Sequence, residues 1–226
     1  MTTYSMIGFL SLVIIITTVV MTFRLRHRNQ PFVYGVSFSP VYAEELGLDW
    51  RQTYQALLND LDFKNLRLVS YWDRYQPEPE RFDFTDLDWQ FEEAKQRNAK
   101  ISLAIGLRQP RWPECREPQW ATQLQGEQWL EALMRYISEV VKRYKAHPSL
   151  ASWQLENEFF NRDFGKACRN FDRGRLSSEY NLVKNLDADH PIIMAQSNQV
   201  GIPLLRPHPD IYGFSVYKRI FEARLL

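Results

Sequence analysis

Leu150-Ala151-Ser152-Trp153-Gln154-Leu155-Glu156-Asn157-Glu158 decides how the rest of the chain is read. Leu150 to Leu155 are short and apolar enough for a buried strand, and they run straight into an acid, an amide and a second acid. A plain core strand would not choose that cluster. Polar groups gathered at the C-terminal end of a strand mark the place where α/β folds keep their chemistry.

On both sides of this stretch the chain repeats one unit. Upstream, residues 126–144 carry Trp129, Leu133, Ile137, Val140 and Val141 at helical spacing; downstream, a polar, aromatic loop at 161–172 leads to a helix near 176–186 and a strand at 192–196. Further out lie a first strand at 32–39, ended by Pro40, and a helix at 49–62 with Tyr54, Leu57, Leu58 and Leu61 on one face. Strands at 65–70 and 100–105 enclose a helix at 86–98 bearing Leu87, Phe91 and Ala94, and a last strand occupies 210–217. Strict alternation of strand and helix predicts a parallel sheet. No glycine-rich fingerprint follows the first strand, so a dinucleotide fold is disfavoured and a (β/α)8 TIM barrel is expected. A closed barrel of this type has eight strands and about six are found here, so the barrel is expected to be incomplete, with an open six-stranded parallel sheet as the alternative.

Composition fits one sizeable core: 226 residues, 45% hydrophobic and 24% charged. A formal net charge of +1 gives no electrostatic argument for nucleic acid. Cys115 and Cys168 are too few for a disulfide framework, and a single bridge between them stays open. His147, His190 and His208 each precede a proline, which reads as turn chemistry; no pair has the spacing of a helical zinc site, and neither metal nor cofactor is expected. Residues 1–23 contain no charged side chain, and 6–23 are almost continuously apolar before Arg24, Arg26 and Arg28. This predicts a single membrane-spanning helix within residues 1–30, a short linker at 28–31, and a globular domain over 31–226. No basic region precedes the apolar run and no small-x-small site follows it, which argues against a cleaved signal peptide.

The end of the fourth strand suits sugar chemistry. A carboxylic acid can protonate a leaving oxygen, and a neighbouring amide can hold a sugar hydroxyl without charge competition. Glu156 precedes Glu158 by two residues, so strand alternation predicts both on the same inward side, with Arg67 as the partner of Glu156. Trp72, Trp112 and Trp120 fall in loops after the second and third strands, where flat rings suit either sugar contact or packing of the rim.

The loop Trp72-Asp-Arg-Tyr-Gln-Pro-Glu-Pro-Glu-Arg-Phe-Asp-Phe84 looks like the pattern W-x-R-x-Q-P-x-P-G-x-F-D-F. With Asn157-Glu158 and with Arg67 in Asn65-Leu-Arg-Leu, it makes the chain resemble the retaining glycoside hydrolases of clan A, the cellulase-like and β-galactosidase-like barrels. The resemblance implies Glu158 as general acid/base, Asn157 on the substrate hydroxyl, and Arg67 and Tyr217 beside a nucleophile. Substrate contacts are expected at Trp72, Trp112, Tyr217 and Glu156, and the resemblance implies a β-linked oligo- or polysaccharide as partner. The family's nucleophile is a Glu ending a seventh strand; none is identifiable here, Glu222 lies too soon after the sixth, and retaining hydrolysis by this chain alone is not expected. A non-catalytic saccharide-binding remnant and a membrane-tethered α/β protein are the alternatives. On orientation two arguments conflict: the basic cluster after the span favours a cytoplasmic domain, whereas an enzyme acting on polysaccharides would face outward. An incomplete barrel also exposes the edges of its first and sixth strands, and poor solubility is expected from that.

Overall fold

The run of apolar residues at the N-terminus forms one uninterrupted helix, α1 (Thr3–His27), in a computed structural model that describes residues 3–27, 32–111, 114–161, 168–169, 171–197 and 207–216. Thr17, Thr18 and Thr22 donate their hydroxyls to the carbonyls of Val13, Ile14 and Thr18, so each polar side chain is satisfied within the helix. Its described side chains are exposed on every side. The segment Gly8–Arg26 is long and apolar enough to cross a membrane. Residues 1–33 form one structural unit and residues 34–226 a second.

The second unit is built on six parallel strands in the order β1-β2-β3-β4-β5-β6: β1 (Val36–Ser37), β2 (Asn65–Val69), β3 (Lys100–Ile105), β4 (Leu150–Leu155), β5 (Ile192–Ser197) and β6 (Ile211–Ser215). Sequential order in a parallel sheet places successive right-handed crossovers on one face, as in a barrel; a doubly wound sheet would reverse its order. The six strands form an incomplete (β/α)8 barrel. Between them run α2 (Pro40–Glu45), α3 (Trp50–Asn59), α4 (Trp72–Tyr75), α5 (Thr85–Gln96), α6 (Gly126–Tyr144) and α7 (Arg173–Leu186).

Side chains at the helix ends set several boundaries. The Ser39 hydroxyl accepts from the Tyr42 N–H ahead of Pro40, and Asp49 accepts from the N–H groups of Arg51 and Gln52. Asp172 accepts from the Arg175 N–H, so α7 begins at Arg173, three residues before the apolar run that predicted it. The first strand is shorter than the predicted 32–39: pairing begins at Val36 opposite Leu66, and Phe32, Val33 and Tyr34 precede the start of β2 and are exposed.

Register sorts the residues into two faces. Leu66 and Leu68, Ile101 and Leu103, Trp153 and Leu155, Ile192 and Met194 are buried on the helix-bearing face, where they meet Leu87, Phe91, Leu133, Ile137, Val140 and Val141. Trp153 keeps its indole N–H satisfied by Asp187 at 2.9 Å. On the opposite face Ser37, Arg67, Ser102 and Ser152 stand in register; the two inner serines bond each other at 2.7 Å and Arg67 Nε reaches Ser37 Oγ at 2.8 Å. In the loop from Trp72 to Phe84, Phe82 stacks on Phe84, and Trp72 stacks on Tyr136 of α6.

Tyr212 and Phe214 of β6 lie in register with Met194 and Gln196, yet remain exposed. Residues 31–226 in aqueous buffer are therefore expected to self-associate through this strand. Light scattering after size exclusion checks this; a monodisperse monomer with a cooperative melt contradicts it.

Candidate active site

Strand β4 stops at Leu155 because the backbone turns left-handed at Glu156 (φ 53°) and again at Glu158 (φ 46°). Each such turn costs a non-glycine residue about 1–2 kcal/mol, so surrounding contacts must hold it. Glu156 supplies the first set: its carboxylate accepts from the N–H groups of Leu107 and Arg108 at 2.6 and 3.0 Å, and from Arg175 of α7 at 3.0 and 3.4 Å. Only glycine fits at position 106, where φ is +103° and a Cβ would sit 2.4 Å from the Glu156 carboxylate. Arg108 supplies the second set. Buried to 2% exposure, it donates to the carbonyls of Glu158 and Asn161 at 2.9 and 2.6 Å, pairs through Nε with Glu114 at 2.7 Å, and its own carbonyl takes the Asn157 N–H at 2.8 Å.

This geometry corrects the expectation that Glu156 points inward to Arg67. Strand alternation ends one residue too early for that, and the carboxylate is spent on the β3 loop and α7 instead. Arg67 does lie on the inner face, but its terminal nitrogen meets Gln154 Oε1 at 3.3 Å. Gln154 in turn sits 3.4 Å from Asn157 Oδ1, so Ser37, Arg67, Gln154 and Asn157 form one polar chain across β1, β2 and β4.

Asn157 and Glu158 are buried side by side at the C-terminal edge of the sheet. Glu158 Oε2 lies 3.4 Å from the Asn161 amide nitrogen. Burial, with the Glu158 charge adding to it against the opposing Arg108, pushes the Glu114 carboxyl above its ordinary range. A shielded carboxyl beside an amide donor and acceptor can exchange a proton with a bound oxygen and orient a neighbouring hydroxyl.

Trp72 is not available to a ligand. It is fully buried, its N–H bonded to Gln76 Oε1 at 2.8 Å and its ring enclosed by Trp120, Trp129 and Tyr136, because the short helix α4 turns it into the core. Trp120 is half-buried beside it and donates to the Gln76 carbonyl at 3.0 Å. Trp112 and Tyr217 lie outside the described residues. Cys115 and Cys168 form a disulfide with Cα atoms 5.5 Å apart, which ties the loop after β3 to the loop after β4. Arg169 adds to that tie by pairing with Glu117 and donating to the Ala121 and Leu124 carbonyls.

The incomplete parallel barrel, with Asn157 and Glu158 just after its fourth strand, is similar in fold to the barrels of solved glycoside hydrolases. Xylanase10C from Cellvibrio japonicus in complex with xylopentaose superposes with a TM-score of 0.60 at 17% identity, over 75% of this chain and 36% of that one. The exo-β-1,4-mannosidase Op5Man5 from Opitutaceae bacterium strain TAV5 gives 0.58 at 15% identity over 74% and 32%. The β-galactosidase LacZ of Heyndrickxia coagulans is 22% identical over 181 residues, 71% of this chain and 27% of its own length. The chain thus spans about a quarter of that curated relative and about a third of these two structures. The model of glycosyl hydrolase family 10 matches residues 47–181, and the chain belongs to this family.

Arg108, Glu114, Arg175 and Glu179 were not singled out individually from sequence. The signal for the last pair was present: Arg175 and Glu179 are four apart in a helix, yet both are buried. Glu179 accepts from Arg175 at 2.8 Å and shares that arginine with Glu156. Burial, reinforced by the Glu156 charge and opposed by Arg175, raises the Glu179 carboxyl well above its ordinary value. The folded state therefore keeps a proton that the unfolded chain releases above its ordinary pKa of about 4.3, and stability falls as pH rises from there toward the folded value. Glu179→Gln copies the protonated acid without the proton. The variant is expected to match the parent near pH 4 and to gain on it by up to about 1.4 kcal/mol per pH unit above. Chemical denaturation of both from pH 4 to 8 checks this; a difference independent of pH contradicts it.

Proposed function

We propose that residues 31–226 form a glycoside hydrolase barrel domain, tethered by residues 1–30, that supplies the proton-transfer half of a retaining double displacement on a β-linked saccharide. The observation that carries the proposal is the buried Asn157-Glu158 pair, held by Arg108 and Glu156 at the C-terminal edge of β4 within the region matched by family 10. Glu158 is the proton donor to the leaving oxygen and later the base toward water, Asn157 holds the adjacent hydroxyl, and Arg67 orients the polar face on which a nucleophile would lie. Tyr217 keeps the role of a neighbour to that nucleophile, and Trp112 that of a sugar contact. Retention needs a second carboxyl about 5 Å from the first, and no strand after β6 is present among the described residues to carry it.

On this proposal the chain alone does not turn over an aryl β-glycoside with a poor leaving group, whereas azide in place of the nucleophile allows slow formation of the α-glycosyl azide. Glu158→Gln is expected to lower the azide-dependent rate by about 10²–10⁴-fold. Product analysis with the full chain in detergent micelles reads this. No azide-dependent product, or equal rates in parent and variant, contradicts the acid/base assignment; azide-independent turnover that Glu158→Gln abolishes contradicts only the missing nucleophile.

We also propose that α1 is a membrane anchor with the barrel domain on the oxidising side. The Cys115–Cys168 bridge supports that side, because disulfides persist in oxidising compartments, and it outweighs the basic cluster formed by Arg24 and its neighbours. In isolated membranes, denatured without reductant, neither cysteine is expected to react with a maleimide; labelling of both contradicts this placement.

A further inference from the structure

Glu179 of α7 is a fully buried carboxyl group that the proposed chemistry does not use, and it bears on the turn that carries Glu158. A single nitrogen, Arg175 Nη1, donates to Glu156 Oε1 at 3.0 Å and to Glu179 Oε1 at 2.8 Å, while Nη2 reaches Glu156 Oε2 at 3.4 Å. The Arg175 guanidinium also lies 5.1 Å from the centre of the Phe159 ring, so one side chain meets the residues on both sides of Asn157 and Glu158. Two ionised acids around one arginine would leave a net negative charge where neither acid is exposed to solvent. Glu179 Oε2 has no hydrogen-bond partner among the described residues, and a proton on Glu179 lets it bond the adjacent Glu156 carboxylate instead of repelling it.

We infer that Glu179 is a positioning residue for the acid/base Glu158, acting through the arginine it shares with Glu156, and that its ionisation in alkaline solution loosens the turn. This role rests on the proposed proton transfer by Glu158. While Glu179 is neutral, Arg175 is left to Glu156, whose carboxylate holds the left-handed turn against the Leu107 and Arg108 N–H groups. Once charged, Glu179 competes for Arg175 Nη1 and repels Glu156 in surroundings closed to solvent. The charged groups acting on Glu179 are Glu156 from the turn after β4 and Arg175 of its own helix, with Asp172 acting on Arg175 from the start of that helix. Among the buried residues of α6, which packs against α7, none is charged, and Tyr136 and Tyr144 are its titratable side chains. The turn is held while Glu179 keeps its proton, and the hold is lost as pH rises through the value at which the folded chain releases it.

Amide NMR of the full chain in detergent micelles, from about pH 6 to about pH 10, tests this in the parent, Glu158→Gln and Glu179→Gln. The N–H signals of Leu107, Arg108 and Asn157 are expected to shift with one common midpoint in the parent, and equally in Glu158→Gln, where the neighbouring acid cannot titrate. In Glu179→Gln that transition should be absent. The azide-dependent rate on a dinitrophenyl glycoside, whose leaving group needs no acid, should fall about tenfold or more through the same midpoint in the parent, because Asn157 loses its hold on the sugar hydroxyl. In Glu179→Gln that rate should stay level. A transition that persists in Glu179→Gln, signals that do not move, or a change in which every amide of the barrel moves together as in global unfolding overturns the inference. Equal pH dependence of the rate in parent and Glu179→Gln does so too, and each of these results leaves the proposed function standing. Absence of azide-dependent product at every pH overturns the acid/base reading, and the positioning role with it.

Discussion

The Glu156 carboxylate is the constraint on which the rest of the site depends. It reaches out of the turn after β4 to two backbone N–H groups of the β3 loop and to Arg175 of α7, so one buried side chain joins three segments distant in sequence. A buried charge of this kind is tolerable only when its hydrogen-bonding capacity is filled, and breaking such a set by removing one partner costs about 3–5 kcal/mol. Here the filling is what allows two left-handed glutamates to stand two residues apart. Glycine at position 106 is part of the same arrangement, because the carboxylate occupies the space a side chain would need.

Around that centre the molecule separates apolar from polar work by face. The helix-bearing side of the sheet is filled by Leu, Ile and Trp against α5 and α6, and dispersion and burial there supply the stability. The inner side carries serines, Arg67 and Gln154, which bond one another rather than pack. Polar residues in register satisfy each other's hydrogen bonds and stiffen a surface that a ligand can meet. The disulfide and Arg169 then link the two loops that flank Glu158, limiting how far they can separate.

Much of this was legible in the sequence, and the limits follow from the range of the forces involved. Helical and alternating periodicity are local, and the elements at Lys100–Ile105, Gly126–Tyr144 and Leu150–Leu155 were found with their observed bounds. Boundaries set by a cap or by a missing partner strand were not: α7 starts earlier through Asp172, and β1 is short because β2 begins only at Asn65. Trp72 had the flat ring expected of a sugar contact, yet α4 buries it, since a ring's direction depends on the turn that carries it. Arg108 belongs to the loop after β3 and is nonetheless almost wholly enclosed, which its place in the sequence does not signal.

By itself the sequence determined the alternation of elements, the parallel sheet, the apolar first helix and the acid-amide-acid ending of the fourth strand. These depend on composition and period within a few residues of one another. Tertiary structure alone decided which acid binds which base. Glu156 found Arg175 rather than Arg67 because a left-handed backbone turned it away from the inner face, and Arg108 came to hold Glu158 because the β3 loop folds back against the turn. Pairing of buried charges depends on angle and distance across the fold, which no spacing along the chain encodes.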